Sequence, residues 1–191
     1  IVNTCGFIEP ARDESLASLH DLAAIVRPDQ RLVAAGCWAQ RSPEALLDGE
    51  PRIDALIGTR SWTAIVQLVE RLIEHEGSSV LTLIEDRMAA MPEEAEAPGY
   101  VVSGPSAFLK IAEGCSRSCA FCAIPSIKGE AVSREVDAIL EDARRLAAMG
   151  TLEINLIAQD STAYGRDRGE AGGLADLLRR LVAEVPDVPW I

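Results

Sequence analysis

"GCSRSCAFCAIPSIKGE", Gly114 to Glu130, carries three of the chain's five cysteines: Cys115, Cys119 and Cys122. The spacing is C-x3-C-x2-C. Tetrahedral zinc takes four ligands, usually as two C-x2-C pairs or as one pair with histidines. The nearest histidine, His75, is far upstream, so a fourth zinc ligand is not at hand. A four-iron, four-sulfur cluster needs one external ligand on each iron. Three thiolates leave one iron open, and an open iron can chelate a substrate where a closed structural site cannot. A zinc knuckle or inert thiols are the alternatives.

The segments around this stretch alternate strand and helix. "AFLKIAEG" (107–114) reads as a strand running straight into the cysteines. A helix is expected over 134–149, with Val136, Ile139, Leu140, Ala143, Leu146 and Ala147 on one face and Gly150 at its end. "LEINLIAQD" (152–160) is the next strand, and "GGLADLLRRLVAEV" (172–185) the next helix, with Leu174, Leu177, Leu178, Leu181 and Val185 inward. Trp190 and Ile191 should begin a third strand. This is the opening of a βα barrel, and the cysteines follow its first strand, at the end where such folds place their chemistry.

Residues 1–84 show the same rhythm. Ile1-Val2 ends a strand, and Pro10 opens a helix through Leu16, Leu19, Ala23 and Val26. "RLVAAG" (31–36) and "IDALIG" (53–58) are strands, and "PEALLDG" (43–49) is a short helix. Trp62, Ile65, Val66, Val69, Leu72 and Ile73 mark the expected buried stripe of another helix. Such alternation argues for a parallel sheet with helices on its faces. Between the two halves, "EDRMAAMPEEAEAPG" has five acids against one arginine, with two prolines and a glycine. Residues 85–106 are therefore expected to link an α/β domain at 1–84 to a barrel domain at 107–191.

Cys5, in "NTCGF", and Cys37, in "AGCWAQR", both fall at the C-terminal ends of expected parallel strands, so their thiols could meet at one sheet edge. Taken alone, each also reads as a buried core cysteine.

The cysteine stretch resembles the radical S-adenosylmethionine (SAM) superfamily, whose signature C-x3-C-x-(aromatic)-C is met by Cys115, Cys119, Phe121 and Cys122. The resemblance implies that these thiolates hold a 4Fe–4S cluster whose open iron binds the amino and carboxylate groups of SAM. Reductive cleavage of SAM then gives a deoxyadenosyl radical. Phe121 would pack on a flat ligand such as adenine. "NTCGFIEPARDES" and "GCWAQR" are similar to the N-terminal domain of the methylthiotransferases, a branch of that superfamily. This implies a second, auxiliary 4Fe–4S cluster on Cys5, Cys37 and a third cysteine expected upstream of the segment given. It also implies a second SAM that methylates the sulfur to be transferred.

"FLKIAEGC" (108–115), "FCAIPSIKGEAVSR" (121–134) and "EINLIAQDSTAYG" (153–165) resemble the methylthiotransferases that modify the β-carbon of an aspartate in ribosomal protein S-twelve. The alternative branch modifies tRNA adenosines. A non-catalytic iron–sulfur module is a third reading. The resemblance further implies an electron donor and a sulfur source.

Gln159 and Asp160 close the second barrel strand. They could hydrogen-bond the ribose or amino group of SAM, or simply cap the strand. Arg134 and Lys128 could pair with a carboxylate of SAM or substrate. Glu113 could cap the cluster loop, Trp38 could shield the auxiliary cluster, and His20 and His75 suggest nothing beyond ordinary positions.

The net charge is −12, which suits a basic protein partner better than nucleic acid. No apolar run approaches the roughly 20 residues that span a bilayer, and no signal peptide opens the chain, so a cytoplasmic location is expected. The chain starts without Met at a strand end and stops entering another strand. It is therefore expected to be an internal fragment, inactive alone.

Overall fold

The computed structural model describes residues 1–75, 77, 79–85, 102, 104–170 and 172–191. Contacts divide the chain into two units. The first begins at Ile1, contains the N-terminal strands and also takes in Cys119–Gly129; the second ends one segment at Ser118 and resumes over Glu130–Ile191. Of the expected linker at 85–106, residues 86–101 and 103 lie outside the described residues.

The first unit contains β1 (Val2–Thr4), α1 (Glu9–Ile25), β2 (Val33–Gly36), α2 (Cys37–Arg41), α3 (Pro43–Gly49), β3 (Ala55–Gly58), α4 (Ile65–Glu74) and β4 (Leu81–Leu83), and the later helix α5 (Ile124–Lys128). The sheet order is β1-β2-β3-β4, and every pair is parallel. Parallel neighbours need crossover connections, and the helices supply them. Side chains alternate across β3. Leu56 joins Leu19, Trp38 and Leu46 on one face, while Ala55 and Ile57 join Leu68 and Leu72 on the other. Each fully buried Leu or Ile here contributes about 1.5–3 kcal/mol.

The stripe expected on α4 is corrected. Leu72 is buried, but its partner is Leu68, while Trp62, Val66 and Ile73 are exposed. A helix laid on one sheet face buries a single stripe. Val66 stands two residues from Leu68, about 200° around the axis, and so points away. α1 ends at Ile25, and Val26 is its extended C-cap rather than a helical residue.

The second unit contains β5 (Ser106–Lys110), β6 (Ala112–Glu113), β7 (Val132–Ser133), α6 (Val136–Ala148), β8 (Glu153–Ile157) and α7 (Gly173–Glu184). The single strand expected over 107–114 is two. β5 pairs with β8 in parallel, from Ser106↔Glu153 to Lys110↔Ile157. β6 then pairs antiparallel with β7, Ala112 opposite Ser133 and Glu113 opposite Val132. Ile111 is the break: its amide donates to Ile157 O, and its carbonyl accepts from Arg134 N. Both groups are satisfied, one toward each sheet.

α6 and α7 cover β5 and β8 with Ile139, Leu140, Ala143, Leu146, Leu177 and Leu181. Where a third strand is expected, Trp190 makes an isolated parallel bridge to Glu153. Among the described residues, no helix is long and apolar enough to cross a membrane. The architecture is α/β: a parallel-sheet N-terminal region, then the βα start of a barrel.

Candidate functional site

Cys5 and Cys37 are neighbours by register. Thr4 of β1 is opposite Gly36 of β2, and each is followed directly by a cysteine. The turn after β1 is held from three sides. Ser15 Oγ, on α1, accepts a hydrogen bond from Cys5 N at 3.1 Å and donates to Ala11 O at 2.7 Å. Arg41 Nη1 donates to Gly6 O at 2.7 Å. Gly6 lies so close to α2 that a Cβ there would be 2.7 Å from Trp38 Cα and 2.8 Å from Cys37 O. Gly36, with φ of 109°, occupies backbone space that only glycine enters freely, and it turns the chain from β2 directly into α2. Trp38 is 8% exposed and belongs to the core. The two thiols are half-buried.

The second set of cysteines is divided between the units. Cys115 follows β6 and is buried, in the second unit. Cys119 and Cys122 belong to the first, where Cys122 N donates to Cys119 O at 3.1 Å and closes a turn. Cys119 is exposed and Cys122 half-buried. α5 (Ile124–Lys128) starts two residues later. Phe121 is 93% exposed.

None of the five cysteines forms a disulfide. Among the described residues, no three His, Cys, Asp or Glu side chains converge on one metal point. The donor set is nevertheless thiol alone, the chemistry that selects iron–sulfur clusters, so these residues fit that group by type.

A cleft of about 380 Å³ opens in the second unit beside the start of the cysteine stretch. It is lined by Ser116, Arg117, Ala131, Asp160, Ala163, Arg166 and Asp167. Asp160 comes just beyond the C-terminal end of β8, and Gln159 before it is exposed. Arg117 Nε donates to Asp160 Oδ2 at 2.6 Å, and Thr162 Oγ1 donates to Asp160 Oδ1 at 2.6 Å. The Thr162 hydroxyl first, then the Arg117 guanidinium, hold the Asp160 carboxyl below its ordinary value.

Asp167 takes Ser133 N at 2.8 Å and Ser133 Oγ at 2.6 Å, tying the cleft floor to β7. Burial pushes its carboxyl up. The Ser133 hydroxyl and amide outweigh that, and the net direction is down.

Arg134, expected to pair with a ligand carboxylate, and Glu113, expected to cap the cluster loop, are both engaged within the second unit. Arg134 is buried, donates to Lys110 O, and forms a 2.6 Å ion pair with buried Asp142. That pair carries β7 into α6 and corrects the reading of Arg134 as a carboxylate clamp. Glu113 is buried and pairs with Lys110. Exposed His20 meets Gly49 O, and half-buried His75 meets Ser79. Arg117, Asp167, Ser15 and Arg41 were not picked out from the sequence. Only the position of Arg117, between two cysteines of the motif, could have singled it out.

Residues 1–58 match the model described as Uncharacterized protein family UPF0004. Residues 109–186 match that of the Radical SAM superfamily. The whole chain is 43% identical to a protein of Roseiflexus castenholzii named ribosomal protein uS12 methylthiotransferase RimO. The chain resembles a segment of RimO. RimO proteins of Chloroflexus aurantiacus and Desulfotalea psychrophila are 42% and 40% identical, again over the whole chain. The chain spans 44%, 44% and 43% of the lengths of these three relatives. Among solved structures, the radical SAM methyltransferase TsrM of Kitasatospora setae, with tryptophan and a SAM analogue bound, superposes with a TM-score of 0.61 at 16% identity. That match covers 93% of this chain and 38% of TsrM. It shows a shared fold.

Proposed function

We propose that this chain is part of a radical SAM methylthiotransferase acting on the β-carbon of an aspartate in ribosomal protein S-twelve. Two RimO-like features support this together. They are the C-x3-C-x2-C stretch on a βα unit, and Cys5 beside Cys37 at one edge of a parallel sheet. The second carries the methylthiotransferase reading, because a sulfur-transferring enzyme needs an auxiliary cluster and an ordinary radical SAM enzyme does not. The choice of a protein aspartate is supported by the stretches 108–115, 121–134 and 153–165 and by the similarity to RimO proteins.

In this reading residues 1–84 form the auxiliary domain, 85–106 the linker and 107–191 the first part of the barrel. Cys115, Cys119 and Cys122 would hold one 4Fe–4S cluster, and Cys5 and Cys37 would contribute to a second. When bound, these groups supply the electron that cleaves SAM and the sulfur that is transferred.

The chain's own side chains orient and screen. The cleft beside Cys115 offers Asp160 as an acceptor for a ribose hydroxyl or an ammonium group, and Arg166 as a cation for a carboxylate. Gln159 stands next to it. Phe121 presents an aromatic face for adenine. An electron donor and a sulfur source complete the reaction. The −12 charge favours a basic protein substrate over nucleic acid, and a cytoplasmic setting follows from a ribosomal substrate.

The test uses the full-length protein reconstituted with iron and sulfide without oxygen. SAM, a reductant, ribosomal protein S-twelve and unmodified tRNA are supplied together, and both macromolecules are analysed by mass spectrometry. A methylthio group on an aspartate of the protein is expected. The same group on tRNA adenosine, or on neither, overturns the proposal.

A further inference from the structure

Arg60 lies just past β3 in the first unit and is 8% exposed. Its guanidinium reaches the C-terminal end of α5, the short helix that begins after Cys122. Nε donates to Ile127 O at 2.9 Å, and Nη2 donates to Ser126 O at 2.8 Å and to Pro125 O at 3.3 Å. The carbonyls at a helix's end lack the usual intrahelical partners, although Pro125 O also accepts from Gly129 N at 3.0 Å, and a cation there complements the helix dipole.

Arg60 is itself held. Its amide donates to Gln40 Oε1 at 3.3 Å, and Gln40 Nε2 donates to Glu85 O at 3.0 Å. Gln40 is buried against Gly58, where a Cβ would come within 2.2 Å of Gln40 Oε1. A side chain fixed at its base thus grips three consecutive carbonyls of a mere five-residue helix.

A helix so short has no stability of its own in water. Its position, and with it the turn that joins Cys119 to Cys122, depends on what holds its end. Neither the motif nor the expected roles of Phe121 and Lys128 require an arginine nearly 70 residues upstream (the sequence separation to Ile127 is 67).

We propose that Arg60 is a positioning residue for the SAM-cleaving cluster: by capping α5 from the edge of the N-terminal sheet, it fixes the turn that presents Cys119 and Cys122. The idea rests on the reading of those cysteines as cluster ligands. It adds that the unit bearing Cys5 and Cys37 also positions Cys119 and Cys122.

The experiment takes the full-length protein in a Cys5→Ala, Cys37→Ala background, so that any iron retained reports only on Cys115, Cys119 and Cys122. Arg60→Met and Arg60→Lys are compared with the parent by two readouts. The first is hydrogen exchange of the cluster-free protein. Exchange over 119–129 is expected to rise about tenfold in Arg60→Met, while β1–β3 keep their protection. Arg60→Lys, which keeps the charge and part of the hydrogen bonding, should fall between. The second is the rate of iron loss to a chelator after anaerobic reconstitution, expected to be about tenfold faster in Arg60→Met.

Unchanged exchange over 119–129, or equal iron retention in all three proteins, overturns the proposal. Exchange that rises equally across β1–β3 does so too, since Arg60 then only stabilises the sheet. If Arg60→Met fails to fold, Arg60→Lys decides on the same two readouts. A parent that retains no iron refutes the ligand assignment instead, and the exchange data separate that failure from this one.

Discussion

Thr4 and Gly36 are paired across β1 and β2, and the residue directly after each strand is a cysteine. Adjacent parallel strands lie about 4.8 Å apart, so this register alone brings Cys5 and Cys37 to one edge. Gly6 completes the approach by bringing its backbone against Cys37 and Trp38. Gly6→Val places atoms where the α2 backbone stands. It should destabilise the folded protein by about 1–3 kcal/mol, as overpacking does. In a full-length Cys119→Ala background it should also lose iron faster than its parent. Denaturant unfolding and iron analysis check this, and a variant matching its parent in both would show that the close approach is not needed.

Cys119 is exposed and makes no core contact that its loss would empty. Cys119→Ala should therefore fold with unchanged stability, within about 0.5 kcal/mol. In the full-length enzyme it should abolish SAM cleavage while the auxiliary cluster remains. Chromatography of the SAM products settles it. Cleavage at the parent rate removes Cys119 from the ligand set.

The Asp160 carboxyl titrates below its ordinary value because the charged form is held by Thr162 and Arg117. A depressed carboxylate pKa contributes stability above the unfolded value, about 3.9 for aspartate, and loses it as pH falls through the folded value. The contribution is thus complete at neutral pH and fades only in acid. Carbon-13 NMR of the carboxyl should show the low titration, and Arg117→Gln should move it back up. A titration unmoved by that substitution would assign the shift to other groups.

Local signals were legible where one residue type dictates the outcome. α3 runs Pro43–Gly49, the same residues as the sequence indicates; proline pre-sets its first turn, and the extended backbone of Glu50 ends it. Strands end at Gly36 and Gly58, as read. The cysteine spacing marked the site at once.

The break at Ile111 was not legible. "AFLKIAEG" reads as one strand, and only Ile157 and Arg134, both distant in sequence, make it two. α2 is a single turn, too short to show a period. Arg117 with Asp160, and Arg60 with α5, are contacts across 43 and 67 residues of sequence, and such pairs leave no periodic trace.

Arg134 and Asp142 form a pair with side chains 9% and 6% exposed. Breaking one side leaves a buried charge without this partner, which costs about 3–5 kcal/mol. Arg134→Met should lower stability by that order. Adding Asp142→Leu should recover much of it, since an apolar pair of similar volume is often neutral or better. Urea unfolding of the single and double variants checks the cycle. A single variant as stable as its parent would return Arg134 to the list of groups available to a ligand.

Phe121 is 93% exposed, although its side chain is large and apolar and stands between Cys119 and Cys122. Packing therefore does not explain it, and folding should not notice its removal. Phe121→Ala should leave the unfolding midpoint within about 0.5 kcal/mol of the parent, as surface changes do. If the ring stacks on adenine, the loss appears in binding instead. An aromatic stacking contact is worth about 1–3 kcal/mol by alanine substitution in the protein–nucleic acid cases where it has been measured, or roughly 5- to 150-fold in affinity. Phe121→Tyr should keep most of that, because the face is what matters. Calorimetry of SAM binding to the reconstituted full-length protein separates the two effects. Equal affinity in all three proteins would show that the exposed ring serves something other than the nucleoside. A large loss of stability would show that it is buried in the full-length protein by residues beyond this chain.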